Sequence, residues 1–206
     1  MCGSGRLLLP LVEAGFNVHG VDASAAMLAN CTARLAAAHR DAKLFRQDIG
    51  ELNLPLRYGA AFVAAGSFQL LTDPARARAA LEHLRTHLVD PGLLLLDLFV
   101  PAESAQRIAA PLVEIRNVLL ADGSRIALRS ETTMHPDARL ARTASRYVHR
   151  RGNDLVAEES ETLAVTWYEP EEIAALVTSA GYRDAAIGPP AQTPSSGSGY
   201  SLTARA

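Results

Sequence analysis

The sequence predicts a doubly wound α/β fold: a mostly parallel sheet flanked by helices, with an antiparallel sheet inserted in the second half of the chain. Three observations predict it. Residues 1–104 alternate short apolar runs with helical stretches, the pattern of a layered α/β unit. Residues 105–166 change to alternation of apolar and polar at period two, and residues 167–206 return to a helix and two closing strands. The expected organisation is one domain of residues 1–104 and 167–206, interrupted by a cover of residues 105–166.

The chain opens on Met1-Cys2-Gly3-Ser4-Gly5-Arg6, running straight into Leu7-Leu8-Leu9. A Gly-x-Gly turn leading into an apolar helix lets bare backbone approach a ligand, because glycine has no Cβ. The helix is expected over residues 4–14, ended by Gly15, and Pro10 inside it predicts a kink. A short buried strand over 17–21 follows and hands over to Asp22. An acid at the carboxyl end of such a strand is placed to meet ribose hydroxyls. Ser24 or Asp22 caps a helix over 24–39 whose stripe of Met27, Leu28, Cys31 and Leu35 is expected to pack on the sheet.

The glycine count bears on the cofactor. A dinucleotide fingerprint needs a third glycine three residues past the second, and that position is Leu8. The run Cys-Gly-Ser-Gly-Arg, then Leu-Val-Glu-Ala-Gly-Phe-Asn-Val-His-Gly-Val-Asp-Ala-Ser-Ala-Ala-Met-Leu, resembles the first two motifs of the S-adenosylmethionine-dependent methyltransferases with a Rossmann-like fold. The resemblance extends through about residue 100 and includes Asp22, Ser24, Met27 and Leu28. It implies S-adenosyl-L-methionine as cofactor and a small molecule as methyl acceptor. It also implies a strand ahead of the glycines, so the chain reads as N-terminally truncated and the first strand of the sheet as absent from it. Without that strand both neighbours would keep unpaired backbone groups.

A third strand over 43–49 ends in Asp48, then Ile49. The resemblance implies that Asp48 bonds the adenine amino group and that Ile49 lies on the ring; a turn or capping acid is the alternative. A fourth strand over 58–65 leads into Gly66-Ser67-Phe68-Gln69, at the carboxyl end where open sheets contact ligands. Ser67 to Gln69 resemble the segment beside the reacting methyl, against the alternative of an ordinary loop. The positions implied for the cofactor are Gly3, Ser4, Gly5, Asp22, Ala23, Met27, Asp48, Ile49, Ala65, Ser67 and Gln69. No general base or metal is assigned: the sulfonium already activates the methyl carbon, so alignment and exclusion of water suffice.

A helix over 74–88 starts at Pro74, where a missing N–H costs nothing. His83 and His87 lie four apart on one face, a spacing that suits a metal or a solvated surface. Asp90-Pro91-Gly92 reads as a turn before a strand over 93–100 buried on both faces, with Asp97 inside it either paired or in a substrate pocket. Four period-two stretches between Pro111 and Thr166 are punctuated by Asp122-Gly123, Pro136-Asp137 and Gly152-Asn153-Asp154, an antiparallel sheet of about four strands. In the resembled family such an insertion covers the active site and holds the acceptor. Arg116, Arg129, Arg142 and Arg146 could meet an acidic acceptor or line an exposed face; His135 and His149 could serve as a base. A last helix opens at Pro170 and ends at Gly181, followed by strands over 182–187 and 200–204 joined by a polar Pro/Gly/Ser loop expected to be mobile.

At 206 residues with 49% hydrophobic and 20% charged content, the composition is that of an ordinary globular domain. The net charge of −2 gives no footprint for nucleic acid. No apolar run approaches the roughly 20 residues a bilayer needs, so no membrane contact is expected and the cytoplasm is the expected location; a homo-oligomer stays open. Cys2 and Cys31 make neither a metal set nor a disulfide framework. Two other readings remain: a nucleotide-binding protein of the nicotinamide type, and a non-catalytic fragment that pairs with another protein.

Overall fold

A computed structural model describes the backbone of residues 1–106, 110–189 and 198–206. The first helix, α1 (Leu8–Glu13), begins four residues later than expected. Pro10 therefore falls in its first turn, where the missing N–H was never needed, and the predicted kink has no cause. Strand β1 (Gly20–Asp22) pairs in parallel with β2 (Leu44–Arg46), Val21 opposite Phe45. Between them runs α2 (Ala25–Ala37), capped by Ser24, whose side chain accepts from the Met27 N–H.

The second half of the parallel layer is a separate four-stranded sheet. It is built from β3 (Tyr58–Val63), β4 (Leu88–Val100) and two strands from the end of the chain, β9 (Arg183–Gly188) and β10 (Ser198–Arg205), in the order β3-β4-β10-β9. Strand β3 is parallel to β4, and β10 is antiparallel to both its neighbours, so β9 runs with β3 and β4. Helix α3 (Pro74–Thr86) connects β3 to β4, started by the Asp73 carboxylate on the Ala75 N–H. The Asp-Pro-Gly segment is an irregularity inside one long strand: Leu88 pairs Tyr58, the register shifts, and Leu93 pairs Ala60. The Gly92 carbonyl accepts from the Ala206 N–H at 2.9 Å, which ties the chain's last residue to this bulge.

The core lies between the four-stranded sheet and its helices. Leu94, Leu96 and Leu98 of β4 pack with Leu81 and Leu84 of α3 and with Ile173 and Val177 of α5 (Pro170–Ser179). Fully burying a leucine contributes about 1.5–3 kcal/mol, so this cluster carries most of the apolar stabilisation. A smaller cluster of Leu8, Cys31 and Leu35 joins α1 to α2.

After the short α4 (Glu103–Gln106) come β5 (Leu112–Leu119), β6 (Arg125–His135), β7 (Leu140–Arg151) and β8 (Asp154–Thr166), an antiparallel sheet paired in sequence order. Hydroxyl pairs join its two central strands β6 and β7, Ser130 to Ser145 at 3.0 Å and Thr132 to Thr143 at 2.8 Å. At the first hairpin the Ser124 hydroxyl donates to Asp122 at 2.6 Å and meets His149 Nε2 at 2.8 Å. Hydrogen bonds from Ser124 and the Arg151 guanidinium hold the Asp122 carboxyl well below the ordinary range. The loop of residues 190–197, expected to be mobile, lies outside the described residues.

Candidate functional site

The glycine turn is shaped by two left-handed residues. Gly3 has φ +55° and Gly5 φ +76°, conformations that L side chains rarely adopt. They differ in surroundings. A Cβ on Gly5 would lie 2.5 Å from Cys31 Sγ, so this glycine brings the turn against α2, whereas a Cβ on Gly3 would meet nothing within 4 Å. Gly3 thus presents bare backbone to open space.

Asp22, at the carboxyl end of β1, holds the turn. Its Oδ2 accepts from the Gly3 N–H at 2.8 Å and its Oδ1 from the Ser24 N–H at 3.0 Å. A carboxylate has about four acceptor positions, so each oxygen keeps capacity for one further donor. Burial disfavours the charged form of the nearby Met1 amino group and lowers its pKa.

The loop after β3 carries the second cluster of unusual backbone. Ala65 (φ +54°) and Gly66 (φ +66°) are consecutive left-handed residues. Asp97, nearly buried, holds them: its Oδ2 accepts from the Ala65 N–H at 2.9 Å and its carbonyl from the Gly66 N–H at 3.0 Å. Asp97 therefore takes the paired structural role, and it shapes the loop that presents Ser67.

A cavity of about 800 Å³ opens beside these elements, within the range of small-molecule and cofactor sites. Of the sequence-derived positions, Gly3, Ser4, Met27, Ile49, Ala65 and Ser67 line it. Met27 was expected to pack on the sheet; it is instead 46% exposed and faces the cavity. Gly5, Asp22, Ala23, Asp48 and Gln69 are outside the lining. Gln69 departs furthest from expectation. It is fully buried, its Nε2 donates to the carbonyls of Phe99 and Thr166, and its Oε1 accepts from the Phe99 N–H, so it fastens β8 to β4. Asp48 caps the 3-10 turn Ile49–Glu51 through the Gly50 N–H at 2.8 Å and pairs with Arg76 at 2.8 Å. The capping alternative describes its contacts here, and the carboxylate stands one residue from the lining Ile49.

Other candidates have local employment. His87 Nε2 accepts from the Leu54 N–H at 2.9 Å and its Nδ1 meets the His83 carbonyl at 2.8 Å, so both ring nitrogens are engaged in fixing a loop. His149 is held by Ser124, and His135 is exposed at a hairpin. Arg146 pairs with Glu158, Arg116 with Glu114 and Arg129 with Glu131, the exposed-face alternative. Sequence reasoning passed over Leu52, Val63 and His19, which also line the cavity; their only signal was apolar alternation or a lone histidine, common in any core.

Residues 1–92 match the family described as a methyltransferase domain. The chain has the fold of the S-adenosylmethionine-dependent methyltransferases. A Geobacillus sp. (strain WCH70) protein named as a methyltransferase is 31% identical over 96 residues, 47% of this chain. The chain spans about two fifths of that relative, 39% of its length. Among solved structures, an S-adenosylmethionine-dependent methyltransferase from Clostridium acetobutylicum ATCC 824 superposes with a TM-score of 0.82 at 15% identity, covering 99% of this chain and 80% of that one. A sugar N-methyltransferase from Streptoalloteichus sp. ATCC 53650 gives 0.79 at 20% identity, covering 99% and 76%. An amino pentose methyltransferase from Micromonospora echinaspora, solved with S-adenosylmethionine bound, gives 0.74 at 24% identity, covering 100% and 80%. These likenesses establish the fold.

The methyltransferase cofactor fits the residues present. The open side of Gly3 admits a ligand against backbone, Asp22 keeps acceptor capacity for hydroxyl donors, and the buried Ile49 offers an apolar wall.

Proposed function

We propose that this methyltransferase domain binds S-adenosylmethionine along the glycine turn, the end of β1 and the loop after β3, and methylates a nitrogen, oxygen or carbon atom of a small molecule. The observation that carries the reading is the bond between Asp22 and Gly3, which joins the ribose-binding acid to the open glycine turn in one unit. The cofactor supplies a methyl group on a sulfonium, already a good leaving group. The chain's own residues then have to orient and to keep out water. Gly3 and Ser4 set how near the cofactor comes to the backbone. Asp22 takes ribose hydroxyls with its remaining acceptor positions, and Ile49 and Met27 supply apolar contact for the base. Ala65 and Ser67, fixed through Asp97, lie where the methionine end and the acceptor would meet. Neighbours in fold that act on sugars and amino sugars support a small polar acceptor.

A thermal melt with S-adenosylhomocysteine tests the cofactor. At a hundredfold excess over its dissociation constant a ligand adds about 2.7 kcal/mol, or roughly 5–10 °C for a chain of this size. Asp22→Ala is expected to abolish that shift, and NAD to give none. An equal shift in the Asp22→Ala chain would overturn the ribose assignment; a shift with NAD alone would overturn the cofactor.

A further inference from the structure

The antiparallel sheet of β5 to β8 has two faces of opposite charge. Its pairing register settles which residues share a face: Arg125 stands opposite Arg150, Arg129 opposite Arg146, and Thr133 opposite Arg142. One face therefore carries Arg125, Arg129, Arg142, Arg146 and Arg150, all exposed, against two carboxylates, Glu131 and Glu158. Between the hairpin ends the other face carries Glu114, Glu159 and Glu161 beside Arg116. The ion pairs agree with this division and leave a surplus. Arg146 holds Glu158 through two bonds of 2.9 Å, and Arg129 pairs with Glu131. Arg150 donates to the Asn153 carbonyl, and among the described residues Arg125 and Arg142 make no side-chain hydrogen bond or ion pair.

Like charges directly opposite on neighbouring strands destabilise a sheet, and Arg125 faces Arg150 with no carboxylate to offset them. Residues 107–109 and 190–197, outside the described residues, contain no aspartate or glutamate. Any carboxylate that neutralises these arginines belongs to another molecule. The same face also exposes apolar side chains. Its row at the tip reads Leu119, Arg125, Arg150 and Leu155 across the four strands, and Val113 and Ile115 continue the apolar line along the edge strand β5. Leu119 is 71% and Ile115 65% exposed. A single exposed leucine is ordinary; a line of apolar residues beside a basic track marks an interaction surface.

We infer that this face docks an acidic, amphipathic helix of another protein. Opposed arginines on β6 and β7 lie about 5 Å apart, and the opposed pair recurs after four residues, about 13 Å along the strands. A helix of about 10–12 Å diameter covers two strands, and carboxylates on it at seven- or eight-residue intervals lie about 11–12 Å apart. Laid along β6 and β7, its acidic stripe meets the arginines that lack a carboxylate, and its apolar stripe meets Val113, Ile115 and Leu119. Arginine clusters recognise carboxylates through charge-assisted hydrogen bonds, which supply register as well as attraction. An extended peptide would instead seek the backbone of an edge strand, away from the central arginines.

Fluorescence anisotropy on the full chain, read without cofactor, tests this independently of the methyltransferase reading. The probe is a labelled helical peptide of about five turns with a glutamate stripe beside a leucine stripe. One control has the same composition with the stripes scrambled, and another has lysine in place of glutamate. The striped acidic peptide is expected to bind, more weakly as salt rises, and both controls to bind at least about tenfold less tightly. Joint Arg125→Glu and Arg150→Glu substitution should weaken binding by more than about tenfold, whereas Arg116→Glu on the opposite face should leave it unchanged. Arg125→Glu alone relieves an opposed like-charge pair, so it should lose affinity while the melting temperature holds or rises, a combination that a merely structural arginine would not give. Failure of the striped peptide to bind, or equal binding by the doubly substituted chain, would overturn the proposal. Equal affinity for the scrambled peptide or for heparin would overturn it in favour of a surface for any polyanion. Dimers in sedimentation that Glu159→Lys disperses would overturn it in favour of a second copy of this chain.

Discussion

Gly5 and Asp22 divide the work of one turn. Gly5 is required twice, by its φ of +76° and by Cys31 Sγ, which a Cβ would approach to 2.5 Å. A left-handed alanine costs about 1–2 kcal/mol, and overpacking a close contact adds about 1–3 kcal/mol. Gly5→Ala should therefore lower stability by roughly 2–5 kcal/mol in chemical unfolding. The two causes separate in a double-mutant cycle: Cys31→Ala removes the obstructing sulfur, so the penalty of Gly5→Ala in that background should fall to the backbone cost alone. An unchanged penalty would mean that packing against α2 contributes nothing. The spacing of the glycines was legible in the sequence, and so was Asp22. The division of labour between Gly3, which faces space, and Gly5, which faces Cys31, was not, because Cys31 meets the turn only after α2 has folded back.

At the scale of elements, the loop after β3 depends on a residue more than thirty positions away. Consecutive left-handed residues are held because the Asp97 carboxylate and carbonyl accept the Ala65 and Gly66 N–H groups. Asp97→Ala takes the side-chain acceptor from the part-buried Ala65 N–H, a loss of about 0.5–1.5 kcal/mol, and loosens Ala65 and Ser67 at the cavity. The expected result is a melting temperature lower by about 2–4 °C per kcal/mol together with weaker S-adenosylhomocysteine binding. Asp97→Asn, which keeps one carbonyl acceptor, should lose less of both; if it loses more, the charge and not the hydrogen bond fixes the loop. The sequence marked Asp97 as costly unless paired, but its partner is a backbone group, which no residue pattern announces. Gln69 shows the same limit in reverse. Its position in the motif suggested the cofactor, while the Phe99 and Thr166 backbone had already engaged its amide. The four-stranded insertion was the easiest element to read, since its strands follow period-two alternation; α1 starts later than expected because Gly5, at φ +76°, is left-handed and keeps residues 4–5 out of the helix.

For the whole molecule, stability at alkaline pH follows from which neutral groups the fold buries. Burial pushes the Cys2 thiol up to about 11 from 9.0 and raises Cys31 as well. Burial also raises Tyr182, whose hydroxyl donates to the Leu81 carbonyl at 3.0 Å, and Tyr200, whose hydroxyl donates to the Tyr168 carbonyl at 2.7 Å. In each case the folded state favours the protonated form more than the unfolded chain does. The unfolded thiols release protons near 9.0 and the unfolded phenols near 10.0, so the unfolded state binds fewer protons above those values. Stability is then complete below about pH 9 and falls as pH rises, first through the thiols and more steeply above pH 10 through the phenols. Urea midpoints between pH 7 and pH 11 should trace that decline. Tyr182→Phe is expected to lower stability at pH 7 by about 1 kcal/mol, the net value of one hydrogen bond, and to flatten the fall above pH 10. A decline of unchanged steepness in that variant would assign the alkaline weakness to Tyr200 and the two thiols instead.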